Sequence, residues 1–250
     1  MTGISVTALA PLPEVRPGDD LAALVLAASD GLRDGDVLVL AHKAVSKSEG
    51  RLRRLPDVEP GERAVALAAE HDKDPRAVQV VLDESEAVIR AQRGVLICRT
   101  RHGFVCANAG VDASNAPDDE TLVLLPADPD RSARALRAAL RARAGVAPAV
   151  VIADSFGRAW RHGQCDVAIG CAGLRPLEDW RGRADARGRE LRATWIAIAD
   201  EAAAAADLAR TKDSRQPAVV VRGLERYVIA DDDGPGAGAV VRPPDEDLFR

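Results

Sequence analysis

Apolar and polar residues alternate along the chain in a pattern that predicts both strands and helices. Compact apolar runs predict strands over residues 4–9, 37–41, 88–89, 95–100, 104–107, 122–125, 149–153, 167–171 and 218–222. Apolar residues at helical spacing predict helices over residues 21–32, 60–70, 75–82, 129–144 and 191–208. The two kinds of element are intermixed without a regular strand–helix–strand order. The pattern therefore predicts an α+β fold with a mixed-sheet core and flanking helices.

Three polar loops are predicted, at residues 41–51, 100–115 and 154–166, next to apolar strands where a rigid scaffold can present functional groups. Lys43 and Lys47 lie four residues apart among small residues, which suits the phosphates of a ligand. Asp112 offers a hard oxygen ligand for a divalent metal. The carboxylate of Asp154 is followed by a hydroxyl and two guanidinium groups, a combination that can hold a metal together with a phosphate. Solvated loops, self-satisfied turns and a structural Arg–Asp lattice remain the alternatives.

The composition narrows the class of protein. The 250 residues are 47% hydrophobic and 29% charged, which is typical of a folded protein. The formal net charge of −5 argues against a general binder of nucleic acid or of anionic membranes, because a negatively charged protein is repelled by both. No apolar run approaches the length of a membrane span, and the first 15 residues lack a leader pattern, so we expect a cytoplasmic protein. The four cysteines are too few and too widely spaced for a disulfide framework and are expected to be reduced.

Familiar nucleotide and hydrolase signatures are missing from the sequence. There is no GxxxxGK[ST] motif and no GxSxG motif, and the Gly cluster at 234–238 is followed by prolines and not by a helix. The chain has only four lysines, and two of them fall within residues 43–47. A P-loop or Rossmann enzyme is therefore not expected.

Two long motifs resemble a known family. They are Thr-Arg-His-Gly-Phe-Val-Cys-Ala-Asn-Ala-Gly-Val-Asp-x-Ser-Asn at 100–115 and Asp-Ser-Phe-Gly-Arg-x-Trp-Arg-x-Gly-Gln-x-Asp-Val-Ala-Ile-Gly at 154–170. Together with residues 41–51, they closely resemble the F420 gamma-glutamyl ligase family, also called coenzyme F420-0:L-glutamate ligases. The resemblance extends from about residue 11 to residue 223.

The resemblance implies an enzyme that joins L-glutamate to the coenzyme precursor F420-0 with GTP hydrolysis, and that can add further gamma-linked glutamates. It implies Mg²⁺ or Mn²⁺ at two sites, the second less well defined, with K⁺ as a further candidate ion. It also implies a homodimer and the family's α+β fold, built as one domain over residues 1–250 from two intimate subdomains. Residues 230–250 are expected to form an irregular tail, which resembles the junction to a nitroreductase-like domain in fused relatives.

Site residues follow by position from the resemblance. The implied nucleotide contacts are Leu12, Pro13, Glu14, Val15, His42, Lys43, Lys47, Asn115, Lys212, Asp213 and Ser214. The implied metal ligands are Asp112 and Asp154 for one ion and Ser155 for the second. From their charge and placement, Arg158, Arg161 and Gln164 are predicted to contact the acyl phosphate or the substrate carboxylate.

One segment departs from the family pattern. Thr211 and Arg215 stand where the family typically has glycine, and a positive φ at those positions would be unfavourable for them. Two other readings of the sequence remain open. One is a metal-dependent phosphohydrolase or ligase acting on another small carboxylic acid, and the other is a non-catalytic deazaflavin- or nucleotide-binding protein.

Overall fold

A computed structural model describes residues 3–247 of the chain, with these elements. The strands are β1 (Ser5–Ala8), β2 (Val37–Ala41), β3 (Leu52–Arg54), β4 (Ser85–Gln92), β5 (Val95–Thr100), β6 (Val105–Ala107), β7 (Thr121–Val123), β8 (Ala149–Arg158), β9 (Arg161–Ala172), β10 (Glu178–Asp179), β11 (Trp195–Ile196) and β12 (Ala218–Arg222). The helices are α1 (Leu21–Ala28), α2 (His42–Ser48), α3 (Glu62–His71), α4 (Pro75–Asp83), α5 (Pro129–Ala144) and α6 (Ile198–Leu208).

The core is a five-stranded mixed sheet in the order β1-β12-β2-β8-β9. Strands β2 and β8 are parallel, and the other neighbours are antiparallel. Alternate residues of β2 face opposite sides. Leu38 and Leu40 pack against α1 and α5, while Val37 and Val39 pack against the alanine-rich face of α6. Both faces of the central strands are covered, which explains their continuous apolar sequences.

A smaller unit, residues 52–125, is inserted in the connection between β2 and β8. It contains α3, α4, a three-stranded sheet β4-β5-β6 and the strand pair β3-β7. Its interior is a separate apolar cluster that includes Val78, Leu96 and Cys98. Phe104 and Leu125 instead belong to the main core, and Phe104 packs edge-on against Phe156 of β8. These two side chains join the inserted unit to the central sheet.

The predicted α+β class with a mixed sheet is confirmed, and β2, β12 and α5 have the predicted boundaries. Three local predictions are wrong. Residues 42–48 form a helix and not a loop, and residues 155–164 belong to the long β8-β9 hairpin. Helix α6 begins at Ile198 and not at residue 191, because Trp195 and Ile196 pair with β10 as a strand.

The C-terminal segment is irregular as predicted, with only 3-10 turns between residues 230 and 247, while residues 248–250 lie outside the described part. It is nevertheless tied to the body. The buried Arg137 of α5 donates hydrogen bonds to the carbonyl oxygens of Ile229 and Asp232 and to the carboxylate of Asp233. All four cysteines are free, as expected. None of the helices within residues 3–247 is long and apolar enough to span a bilayer.

Candidate active site

A cavity of about 480 Å³ opens at one edge of the central sheet. This volume falls within the range of small-molecule sites. Four segments supply most of its lining: residues 12–15 after β1, the start of α2, the middle of β8, and the connection from α6 to β12. Asn115 and Asp166 of β9 complete it. Because β2 and β8 are parallel, the carboxyl end of β2 at Ala41 lies beside Ala153 in the middle of β8. Ligands of α/β sheets commonly bind at the carboxyl ends of such strands.

Helix α2 supplies the polar wall of the cavity. It begins directly after β2 and carries His42, Lys43 and Lys47, of which His42 and Lys47 are buried. The ammonium group of Lys47 donates to Glu14 Oε1 at 2.5 Å. The polar side chains of His42 and Lys47 are buried because they face the cavity and not the apolar core. The helix therefore lacks the alternation of buried apolar and exposed polar residues that marks an amphipathic helix.

Asp112 is brought to the site by the inserted unit. Lys43 Nζ donates to Asp112 Oδ2 at 2.6 Å and to the hydroxyl of Ser114 at 2.5 Å. Burial alone would raise the pKa of Asp112, but the hydrogen bonds and positive charge of Lys43 and the bonds from Ser114 outweigh it, so this pKa is lowered. The Asp112 carboxylate is therefore ionised at neutral pH.

Asp154 lies next to His42 at the end of the apolar part of β8. His42 Nε2 is 3.2 Å from Asp154 Oδ1, outside hydrogen-bond geometry, and the Ser155 amide donates to the same oxygen at 2.8 Å. Burial would raise the pKa of Asp154, but His42, the Ser155 amide and the charge of Lys43 together lower it. Lys43 lines the cavity together with Asp154 and donates a hydrogen bond to Asp112, so this one lysine connects the two aspartates.

A second charged cluster lies deeper, on β9 and behind Ser155. Asp166 is the register partner of Ser155 and is 1% exposed. It accepts hydrogen bonds from the Ser155 hydroxyl at 2.5 Å and from Arg210 Nη2 at 2.6 Å. Lys212 Nζ donates to Ser155 Oγ at 2.6 Å from the cavity side. Ser155 is therefore fixed between a carboxylate and an ammonium group.

Residues 210–217, which connect α6 to β12, form a tied loop over the cavity. Arg210 Nη1 donates to the Pro217 carbonyl at 2.7 Å, and the amide of Leu12 donates to the Arg215 carbonyl at 2.9 Å. Arg215 has φ 56°, in the left-handed region that favours glycine, whereas Thr211 does not have a positive φ. The expected strain is therefore present at one of the two atypical positions.

The structure brings most of the predicted site residues to this cavity. Those that line it are Leu12, Pro13, Glu14, Val15, His42, Lys43, Lys47, Asn115, Asp154, Ser155, Lys212 and Asp213. Asp112 lies behind Lys43, and Ser214 turns back to bond the Thr211 carbonyl. The roles proposed for these residues stay predictions.

Arg158, Arg161 and Gln164 do not reach the cavity of this chain. They lie at the exposed end of the β8-β9 hairpin, beside Trp160. Sequence reasoning also missed Asp166, Arg210 and Gln216, all of which line the cavity. Asp166 was visible within the second long motif, but no sequence signal singled out Arg210 or Gln216.

Comparison with known proteins identifies the class. A family model described as F420-0:Gamma-glutamyl ligase matches residues 10–223. The chain belongs to this family of ligases, which confirms the resemblance drawn from the two motifs.

Particular relatives match over nearly the whole chain. The coenzyme F420:L-glutamate ligase of Methanopyrus kandleri is 46% identical, with both chains covered in full. The proteins of the same name from Methanothermobacter thermautotrophicus and Haloarcula marismortui are 41% and 42% identical over 99% of this chain, and cover 99% and 96% of those proteins.

Proposed function

We propose that this protein adds L-glutamate to coenzyme F420-0, and to its glutamylated products, in a reaction that depends on GTP and a divalent metal. The observation that carries the proposal is the convergence of three of the chain's four lysines on one cavity that Asp154 also lines, with Asp112 bound to Lys43 directly behind it. Lysine ammonium groups can neutralise phosphates as compact point charges, and carboxylates can hold the metal ion of a metal–phosphate complex. The names of the full-length relatives support the glutamate and F420 specificity.

The donor atoms at the site fit Mg²⁺ or Mn²⁺. Within residues 3–247, no three His, Cys, Asp or Glu side chains form a metal cluster by themselves. Mg²⁺, however, is commonly bound through one or two carboxylates plus substrate phosphates and water. Asp112 and Asp154 would hold one ion and Ser155 the second. When bound, these ions would neutralise charge on the phosphates.

The proposed chemistry proceeds through an acyl phosphate. A carboxylate oxygen of F420-0 attacks the γ-phosphorus of GTP, the bond to the β-phosphate oxygen breaks, and GDP leaves. The glutamate amine then attacks the activated carbonyl, phosphate leaves, and the amine proton is released. Such in-line transfer depends mainly on positioning and charge neutralisation, for which Lys43, Lys47 and Lys212 are suitably placed.

We propose that the protein acts as a cytoplasmic homodimer in which the hairpin end forms part of the contact. Trp160 at this end is 82% exposed, and exposed aromatic side chains are favoured at protein interfaces. A contact there would bury Arg158, Arg161 and Gln164, whose proposed role is to bind the substrate carboxylate or the acyl phosphate.

One incubation tests the reaction. Purified protein is mixed with F420-0, L-glutamate, GTP and Mn²⁺, and both free phosphate and product mass are measured. We expect one phosphate for each glutamate added, and no phosphate when F420-0 is omitted. Phosphate without glutamate addition would favour a phosphohydrolase, and nucleotide binding without turnover would favour a binding protein. Replacing GTP by ATP measures the nucleotide preference.

A further inference from the structure

The buried pair Asp166–Arg210 has no role in the reaction as proposed so far. Both side chains are at least nine-tenths buried, and both oxygens of Asp166 are occupied, one by Ser155 and the other by Arg210. Burying an ion pair gives little net stability, because desolvation offsets the attraction between the charges. A contribution to stability therefore does not explain why this ion pair lies beside the cavity.

The hydrogen-bond pattern fixes the direction of the Ser155 hydroxyl. A serine hydroxyl has one proton to donate and two lone pairs that accept. The proton is held by Asp166, and one lone pair accepts from Lys212. The remaining lone pair is the only bonding capacity left on this oxygen. In this state Ser155 can bind a cation but cannot donate to a phosphate oxygen.

Arg210 connects this hydroxyl to the loop above it. The same guanidinium that bonds Asp166 also donates to the carbonyl of Pro217, which in turn accepts from the amide of Ala41 at 2.8 Å. Ala41 directly precedes α2. One planar group therefore links β9, both ends of the 210–217 loop, and the start of the helix that carries His42 and Lys43.

We propose that Asp166 and Arg210 are positioning residues that orient the Ser155 hydroxyl as a cation ligand and fix the 210–217 loop relative to it. The inference rests on the proposed function, since it assigns part of that site. Asp166 acts through Ser155, so the effect of Asp166 on cation binding requires the serine hydroxyl. A merely structural ion pair would have no such dependence.

Mn²⁺ binding to the full chain tests the proposal without an activity assay. Mn²⁺ is titrated by electron paramagnetic resonance in the presence of a non-hydrolysable GTP analogue, for wild type, Asp166→Asn, Ser155→Ala and the double variant. Thermal unfolding of each protein controls for the fold. We expect Asp166→Asn to weaken Mn²⁺ binding about 10- to 100-fold, the usual effect of removing a ligand's supporting partner. Ser155→Ala removes the ligand itself and should weaken binding at least as much. The double variant should bind no more weakly than Ser155→Ala.

Wild-type affinity in a folded Asp166→Asn variant would overturn the proposal. Losses that multiply in the double variant, or a wild-type protein that binds no Mn²⁺ with the analogue, would overturn it as well. If Asp166→Asn does not fold, Arg210→Lys replaces it and should also weaken Mn²⁺ binding, because an ammonium group lacks the fixed fork with which Arg210 bonds both Asp166 and Pro217. An unchanged affinity in that variant contradicts the role of Arg210. Mn²⁺ binding as expected, but without glutamate addition in the product assay, would contradict the proposed function and leave this inference standing.

Discussion

His42 Nε2 lies 3.2 Å from Asp154 Oδ1 because the residues that precede them, Ala41 and Ala153, are register partners in the parallel pair β2-β8. The sheet thus delivers an imidazole and a carboxylate to the same point of its edge. Residues 37–40 of β2 and 149–153 of β8 are buried, and a shift of one residue would turn their side chains to the opposite face. The position of Asp154 is therefore set by the core and not by a loop.

Asp154→Asn should abolish metal-dependent turnover with a modest change in fold stability. The variant keeps the shape of the side chain but removes the charge that a divalent ion requires. A loss of at least about 100-fold is expected, since metal ions supply several kcal/mol of charge stabilisation. The measurement is product mass as a function of Mn²⁺ concentration. Asp200→Asn, at a carboxylate that bonds the Ala168 amide outside the cavity, is the matched control. A near-wild-type rate would remove Asp154 from the site.

Stability should fall in acid through Asp112 and Asp154. Their pKa values are lowered below 3.8 in the folded protein, so the unfolded chain takes up protons first as pH decreases. The stability that these carboxylates add is fully present above about pH 4 and is lost as pH falls through their folded pKa. The free energy of unfolding, measured in urea between pH 6 and pH 3, should decline less steeply for Asp154→Asn than for wild type. Parallel curves would mean that Asp154 is not stabilised as an anion.

Lys43→Arg should weaken nucleotide binding although the charge is kept. The ammonium group fits between Asp112 and Ser114 at 2.6 and 2.5 Å, and a forked guanidinium is too large for that position. We expect about a tenfold higher Kd for the Mn²⁺ complex of the GTP analogue, measured by calorimetry. Lys73→Arg, in the break between α3 and α4, is the control and should bind like wild type. Equal Kd values for both variants would argue against a phosphate-binding role for Lys43.

Trp160→Ala should shift the protein toward monomer if the hairpin end lies in the homodimer contact. Burying a tryptophan at an interface commonly provides a large share of the binding energy. Light scattering after size exclusion, over a range of concentrations, gives the mass. Trp195→Ala, at a half-exposed residue that stacks with Arg181, is the matched control and should remain dimeric. A monomeric wild-type protein would contradict the homodimer, and an unchanged dimer in Trp160→Ala would exclude the hairpin from it.

The parts of the fold with strong periodicity could be predicted from sequence. Strand β2 is a short apolar run between the turn at 34–36 and a polar segment that begins at His42. Helix α5 has a proline at its first turn and glycine after its last residue, so the predicted and observed boundaries of both elements agree. Helix α2 could not be predicted, because its polar residues are buried facing the cavity. Its sequence therefore lacks the helical spacing of apolar residues that marks an amphipathic helix. The start of α6 was misplaced since Trp195 and Ile196 pair with a strand distant in sequence.

Several predicted residues of the long motifs line the cavity, whereas residues that only tertiary contacts bring there were not predicted. Asp154 and Ser155 belong to one such motif, and both line the cavity. Arg210 and Gln216 reach it only because the end of α6 and the start of β12 close a loop, which leaves no local signature. Charge and placement predict Arg158 and Arg161 at the site, and strand pairing carries them to the end of a hairpin, away from the cavity of their own chain.

Because residues 52–125 form an inserted unit, the distance between Asp112 and Asp154 depends on how this unit packs against the central sheet. Asp112 belongs to the inserted unit, whereas Asp154 belongs to the central sheet. A displacement of about 1 Å between reacting groups can cost on the order of 100-fold in rate. Substitutions at Phe104 or Leu125, which do not line the cavity, would therefore change catalysis by altering how the inserted unit packs on the central sheet. Natural variation at this contact between the two units can tune the activity of the enzyme.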